Sequence, residues 1–200
     1  MNARRPLLLA AVAAAALTVA GCSGTTGGTA SPAPASATDS NTGGSGGGSA
    51  PKVPAPLNVS SIQSNACATL SSAKVSQLKL SPGTPRTGSA GPSCTFTYAD
   101  DRGNQIDVST VTANKNGLSD VYDTKGNDEY FEPTQIAGYP AVYAAALDHR
   151  SKGKCGLFVG VTDQLSVNIL AQLDNGADAK TPCPVVAKVG EAMIQTLKEG

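Results

Sequence analysis

The sequence predicts an α+β fold: an antiparallel sheet of about five strands, covered by N- and C-terminal helices and held by two disulfides. Apolar residues alternate along five short segments between residues 94 and 171, which is typical of strands with one buried face. Apolar residues recur at helical spacing over 69–80 and again over 181–197. Tight polar turns separate the last three strand segments, so we expect neighbouring strands to run antiparallel.

The N-terminal half of the predicted fold is a helix followed by a hairpin. The helix is expected over Thr69–Leu80, with Ser71 or Ser72 as its N-cap. Residues 94–98 alternate as a strand, and a cluster of Asp, Gly and Asn then predicts a turn. The second strand of this hairpin is expected over 105–112.

The C-terminal half is predicted to hold a short helix, three strands and a final helix. Gly126 is placed to end the short helix, and Pro182 suits the first position of the final one. The expected segments are, in order, a helix over Leu118–Lys125, strands within 136–147, 155–161 and 165–171, and a helix from about Thr181 to Leu197.

The N-terminus has the pattern of a bacterial lipoprotein signal. Arg4 and Arg5 precede the uncharged apolar run Leu7–Ala20, which is shorter than the roughly 20 residues of a membrane-spanning helix. The run leads into Val-Ala-Gly-Cys22, which resembles the lipobox, whose cysteine is diacylated before cleavage. Residues 1–21 are therefore predicted to be a lipoprotein signal peptide, with an uncleaved signal anchor as the alternative. Acyl chains on Cys22 would hold the protein on the extracytoplasmic face of the cell membrane.

Composition divides the rest of the chain into a tether and a domain. Residues 22–57, beginning with the lipidated cysteine, are rich in Gly, Ser, Pro and Ala and contain no aromatic residue. Such a segment cannot bury enough apolar surface to fold, so we expect a disordered tether. Residues 58–200 are predicted to form one globular domain, and all the aromatic residues lie within it, between Phe96 and Phe158.

Four cysteines follow the predicted lipidation site: Cys67, Cys94, Cys155 and Cys183. Four cysteines in an exported domain indicate two disulfides, with three possible pairings. Sequential pairing is preferred because it closes two loops of similar size, and a nested pairing is the second choice. A zinc site would usually show C-x₂₋₄-C spacing, which these cysteines lack, so no metal is expected.

Little in the sequence indicates catalysis or a cofactor. His149 is the only histidine, and its polar turn predicts a solvated side chain rather than a general base. Nucleophile-elbow, phosphate-loop and dinucleotide-binding motifs are absent from the sequence. Without Arg4 and Arg5, thirteen basic residues face fifteen acidic ones, which is too little positive charge for a nucleic-acid groove. We expect no catalytic residue, no cofactor and no nucleic-acid partner.

One stretch joins aromatic and acidic side chains without a clear helical or strand period. Its acidic residues Asp128, Glu129 and Glu132 are expected to be solvated, with carboxylate-based hydrolysis as the alternative. Aromatic side chains here and shortly after it would either supply contact area for a ligand or plug the edge of the core. The predicted recognition surface consists of Tyr130, Phe131, Tyr139 and Tyr143.

The surroundings of the four cysteines resemble those of a known family. The first cysteine opens Cys-Ala-Thr-Leu70, the second precedes Thr-Phe96, the third lies in an apolar strand ending at Val159, and the fourth opens Cys-Pro-Val-Val-Ala187. A Gly-Tyr-Pro-Ala141 turn that leads into a strand also fits. Residues 60–198 are thus similar to the actinobacterial lipoproteins grouped as domain of unknown function 3558. The resemblance implies a lipobox, a tether and four spaced cysteines, and it brings no established activity or catalytic residues.

These features predict a non-enzymatic binding or accessory module displayed at the cell envelope. The expected partners are the membrane, through the lipid anchor, and an envelope protein or a wall ligand. A cell-envelope hydrolase that uses the acidic loop and a structural wall protein are the alternatives.

Overall fold

The computed structural model describes residues 49–200. The predicted signal peptide, Cys22 and most of the predicted tether lie outside this range. Within it, no helix combines the length and apolarity needed to cross a membrane. Residues 49–200 form a sheet with helices packed on it, so the predicted α+β class is confirmed.

The sheet has seven strands, and every neighbouring pair is antiparallel. The strands are β1 (Thr84–Gly88), β2 (Gly91–Thr97), β3 (Gln105–Thr110), β4 (Tyr130–Ile136), β5 (Tyr139–Ala145), β6 (Lys154–Thr162) and β7 (Leu165–Gln172). Their spatial order is β1-β2-β3-β7-β6-β5-β4. Strands β1 to β3 are consecutive neighbours, as are strands β4 to β7, and these two parts of the sheet join where β3 pairs with β7.

The predicted strand number was too low because both edge strands were missed. Every residue of β1 is exposed, so this strand lacks the alternation that a buried face imposes. Strand β4 carries Glu132 and Pro133 at its centre, which hides its period. Proline and charge are typical of edge strands because they discourage pairing with another chain.

The α-helices are α1 (Ser72–Gln77), α2 (Leu118–Asp123) and α3 (Cys183–Glu199). Short 3₁₀ turns occupy Ala66–Thr69, Lys125–Asn127, Arg150–Lys152 and Asp178–Lys180. The helix expected over 69–80 is split, because Leu70 is extended between the first 3₁₀ turn and α1. Ser71 caps α1 by accepting a hydrogen bond from the Lys74 N–H at 3.4 Å, as one of the two predicted caps.

One face of the sheet, termed the covered face, packs against α3 and the N-terminal helical segment. Strands β6 and β7 contribute Leu157, Val159, Val167 and Ile169, all of them inaccessible to solvent. Gly190 of α3 allows this close approach, because a Cβ there would lie 3.1 Å from Ile136, 3.4 Å from Leu157 and 3.6 Å from Ile169. The main core therefore lies between the sheet and α3.

Both disulfides join the helical layer to the covered face. Cys67, in the first 3₁₀ turn, is bonded to Cys94 of β2, and Cys183, at the start of α3, is bonded to Cys155 of β6. The preferred sequential pairing is therefore confirmed. The two closed loops have separations of 27 and 28 residues.

The chain before residue 58 lies along the domain from Ala50 onward. The Leu57 N–H donates to the Val161 carbonyl at 3.0 Å, and the side chain of Leu57 is buried in the main core. The Ala55 carbonyl accepts a hydrogen bond from the Tyr139 hydroxyl at 2.9 Å. The Ala50 N–H donates to the hydroxyl of Ser119 in α2 at 3.3 Å. This part of the predicted tether is thus bound to the domain by burial and by specific hydrogen bonds.

Candidate functional site

The second face of the sheet, termed the open face, is covered by α2 over β5 and β6 and carries polar side chains elsewhere. Under α2, Leu118 and Val121 pack with Val142 and Ala144 in a second, smaller apolar cluster. Towards β1, the open face carries polar residues such as Ser93, which is half-buried, and Thr95, which is buried. The open face therefore changes from apolar to polar across the sheet.

A cavity of about 440 Å³ lies between α2 and the open face of β5, β6 and β7. This volume falls within the range of about 300–1,000 Å³ typical of small-molecule sites. We term it the α2 cavity; its lining residues are Val111, Asn114, Asp120, Val121, Thr124, Asp128, Ala144, Ala145, Ala146, Gly156, Phe158, Asn168 and Leu170. The residues come from five separate parts of the chain, so only the folded domain forms the cavity.

The sheet opens at the floor of the α2 cavity. Register pairing between β5 and β6 extends only as far as Tyr143 and Leu157. At the next position the Gly156 N–H donates to the buried Tyr130 hydroxyl at 3.1 Å. A Cβ on Gly156 would approach the Ala144 carbonyl oxygen to 2.7 Å, so a side chain does not fit at this position. Glycine therefore keeps the floor flat and leaves room above it.

Two carboxylates line the α2 cavity, and their surroundings differ. The Asp120 carboxylate accepts hydrogen bonds from the backbone N–H groups of Asn116 and Lys115 and from the Asn116 amide. These bonds, led by the one from the Asn116 backbone, lower the pKa of Asp120. Burial instead raises the pKa of Asp128, because the charged form loses hydration. Asp120 is thus fixed in place, while Asp128 is partly dehydrated.

A hydrogen-bond network on the open face lies beside the α2 cavity. Asp107 of β3 pairs in register with Leu170, a cavity residue. The Asp107 carboxylate accepts from the Thr95 hydroxyl at 2.6 Å and from the Gln172 amide at 2.7 Å. The Arg86 Nε donates to Thr95 at 3.1 Å. This network fixes polar side chains at one boundary of the cavity.

A family model described as "Protein of unknown function (DUF3558)" matches residues 17–196 of the chain. The chain belongs to this family. No curated protein and no solved structure matches it. The resemblance inferred from the cysteine surroundings is therefore confirmed at the level of the family.

The structure does not bring the four predicted recognition residues of this family member together on one accessible surface. Tyr130 and Tyr139 are buried, and their hydroxyls are bonded to Gly156 and to the N-terminal segment, respectively. Tyr143 is half-buried against the main core. Phe131 belongs to the smaller cluster on the other face, where its ring meets Tyr122 edge-on at 4.9 Å. These aromatic side chains are therefore buried or packed against the two apolar clusters and do not form one recognition surface.

The acidic stretch is likewise divided between separate environments. Glu132 forms an ion pair with Arg150 at 2.7 Å, and Glu129 accepts the Asp148 N–H at 2.7 Å. Of the three predicted acidic residues, only Asp128 lines the α2 cavity. His149, the candidate dismissed as a general base, lies just before a 3₁₀ turn and does not line this cavity.

Sequence reasoning did not identify most of the α2 cavity. Asn168 and Leu170 were assigned to a strand, but their neighbours across the sheet were not identifiable from the sequence. The sequence predicts Gly156 only as part of an apolar strand. The run Ala144–Ala146 offered the clearest local signal, because three small residues at a strand end leave space above the sheet.

Proposed function

We propose that this protein is a lipid-anchored, extracytoplasmic binding module of the cell envelope, with the α2 cavity as its ligand site. The observation that carries the proposal is the cavity itself, a space of about 440 Å³ with an apolar floor and fixed polar groups. Sites of this kind bind small molecules or single side chains of a larger partner. The module acts without catalysis.

The membrane part of the proposal rests on the N-terminal sequence. Cys22 follows an apolar run and small residues, and the family match begins at residue 17 and includes this cysteine. The two disulfides between residues 67 and 183 agree with delivery to an oxidising compartment. A lipid on Cys22 would keep the domain at the membrane surface.

Binding is favoured over hydrolysis by the state of the carboxylates. Glycoside hydrolysis needs two carboxyl groups on either side of one bond, one to donate a proton and one to attack or activate water. Glu129 and Glu132 are engaged elsewhere, as described above. Asp120 shares the cavity with Asp128, but three hydrogen bonds stabilise its charge and reduce its basicity.

Lipidation is tested by intact-mass analysis of the full chain from membranes of a host that processes bacterial lipoproteins. We expect a chain that begins at Cys22 and carries acyl groups. Cys22→Ala should remove the acyl mass and shift the protein from the membrane to the soluble fraction. An unmodified Cys22 in the membrane-bound wild type would refute the anchor.

Cavity binding is tested by capture from cell-envelope extracts with the full chain. Ala146→Trp should fill the cavity mouth, since Ala146 is exposed and lines the cavity. Ala99→Trp is the matched control, because Ala99 is also exposed and lies outside the cavity. We expect a captured component that Ala146→Trp loses and Ala99→Trp retains. Identical capture by both variants would reject the cavity as the site and would favour a structural role.

A further inference from the structure

The walls of the α2 cavity combine apolar surface with charge of a single sign. Val111, Val121, Phe158 and Leu170 line it together with three consecutive alanines. Asp120 and Asp128 are its only charged lining residues among those that the structure describes. A ligand that fits must therefore cover apolar surface and also tolerate or neutralise negative charge.

Asp128 is the carboxylate with free capacity for a ligand. Within residues 49–200, no protein group donates a hydrogen bond to its side chain, whereas Asp120 already accepts three. A carboxylate that is half-buried without a partner is unfavourable, and an opposite charge nearby would offset that cost. Asp128 therefore provides an unfilled acceptor next to an apolar surface.

Among the residues that the structure describes, no basic side chain lines the cavity or forms an ion pair with its two carboxylates, and this includes Lys125, three residues before Asp128. Lys115 Nζ donates to the Thr112 carbonyl at 2.9 Å. Arg150 is held by Asp148 and Glu132. Lys154 precedes Gly156 by two residues and is exposed, but it does not line the cavity. The electrostatic complement of the cavity is a cation.

We infer that the α2 cavity binds a ligand with an apolar body and a protonated amine, and that Asp128 accepts the ammonium hydrogen bond. This inference rests on the proposed function and specifies its ligand class. The apolar body packs on Phe158 and Leu170, and the ammonium lies between Asp128 and the fixed charge of Asp120. Charge complementarity separates this class from anionic ligands of the same size.

The test uses three ¹⁹F NMR probes of nearly equal size on the full chain: 4-fluorophenethylamine, 2-(4-fluorophenyl)ethanol and 4-fluorophenylacetate. We expect the amine to bind at least about tenfold more tightly than the alcohol or the acid. Asp128→Asn should weaken amine binding by about tenfold. Asp123→Asn is the matched control, because Asp123 is an exposed residue of α2 outside the cavity lining. It should leave amine binding unchanged.

The possible failures of this test are distinguishable. If the alcohol or the acid binds as tightly as the amine, and Ala146→Trp abolishes that binding, the ligand class is wrong while the cavity remains a binding site. If Asp128→Asn and Asp123→Asn bind the amine equally well, Asp128 is not the acceptor and the inference is overturned. If none of the three probes binds up to about 10 mM, the inference is also overturned, and the extract capture then judges the cavity independently. Circular dichroism of each variant verifies that it is folded.

Discussion

The two faces of the sheet are built from alternating residues of the same strands, yet they differ in almost every physical property. On β7, Ile169 is fully buried against α3, while its neighbour Leu170 is half-buried at the α2 cavity. The covered face carries both disulfides and the main core. The open face carries the Asp107 network and the cavity.

This difference indicates which face of the sheet can accept side-chain substitutions without loss of the fold. Removing a methyl group from a buried core lowers the free energy of unfolding, whereas removing one from a half-exposed cavity wall lowers it much less. A site on the open face can therefore change its side chains while the covered face maintains the fold. The following predictions test that separation, from the largest expected effect to the smallest.

Loss of a disulfide should have the largest effect, because both bonds fix the helical layer to the covered face. Replacing Cys155 and Cys183 together by Ala should lower the free energy of unfolding by about 3.6 kcal/mol through loop entropy. The Cys67 and Cys94 double replacement is the matched variant, since its loop is only one residue shorter. Denaturant titration measures both. A cost below about 1 kcal/mol for either pair would contradict an equal role.

Adjacent substitutions on β7 compare the two faces directly. Ile169→Ala should cost about 3 kcal/mol, because it leaves a void in a fully buried core. Leu170→Ala should cost about 1 kcal/mol or less, since part of its surface is already accessible and the cavity adjoins it. Denaturant unfolding of the two variants at one pH gives both values. Equal losses would show that the open face contributes as much to stability as the core.

The same contrast explains how much of the fold the sequence could predict. The sequence predicts strands β2, β3, β6 and β7 and the long helix α3 from the clear apolar period that burial against one layer imposes, and it predicts strand β5 from an apolar run that follows a turn. The edge strands β1 and β4 were missed because exposure and Pro133 remove that period. The first helix was predicted as one segment, because the break at Leu70 depends on its tertiary surroundings.

The candidate site was harder to predict than the fold. The α2 cavity joins residues far apart in the sequence, and Asn168 or Asp128 look like ordinary solvent-facing residues until the strand order is known. The aromatic residues gave a misleading signal, since Tyr130 and Tyr139 use their hydroxyls inside the structure. The sequence favours the sequential disulfide pairing because its two loops are similar in length, and it leaves the nested pairing open as the second choice; the structure confirms the first.

The Tyr130 hydroxyl accepts the Gly156 N–H where the pairing of β5 and β6 ends, and a substitution tests whether this hydrogen bond stabilises the fold. Tyr130→Phe removes the acceptor of the buried Gly156 N–H and should cost about 1–2 kcal/mol. Tyr143→Phe is the matched control, because Tyr143 is half-buried and its hydroxyl has no hydrogen-bond partner within residues 49–200. It should change the unfolding free energy by less than about 0.5 kcal/mol. Equal effects in thermal unfolding would mean that Gly156 finds another acceptor.

The smallest expected effect is electrostatic and belongs to the open face. Burial raises the pKa of Asp128, so the folded state holds this proton more tightly than the unfolded chain, whose Asp pKa is about 3.9. Stability therefore falls as the pH rises from the unfolded pKa through the folded one. The difference in Tm between Asp128→Asn and the wild type should therefore be more favourable to the variant at pH 7 than at pH 3. Asp123→Asn, which replaces an exposed carboxylate of α2, is the matched control for the loss of one negative charge. A greater relative loss of Tm at pH 7 for Asp128→Asn would mean that the folded protein stabilises this carboxylate, so Asp128 would not be an uncompensated charge for a ligand to neutralise.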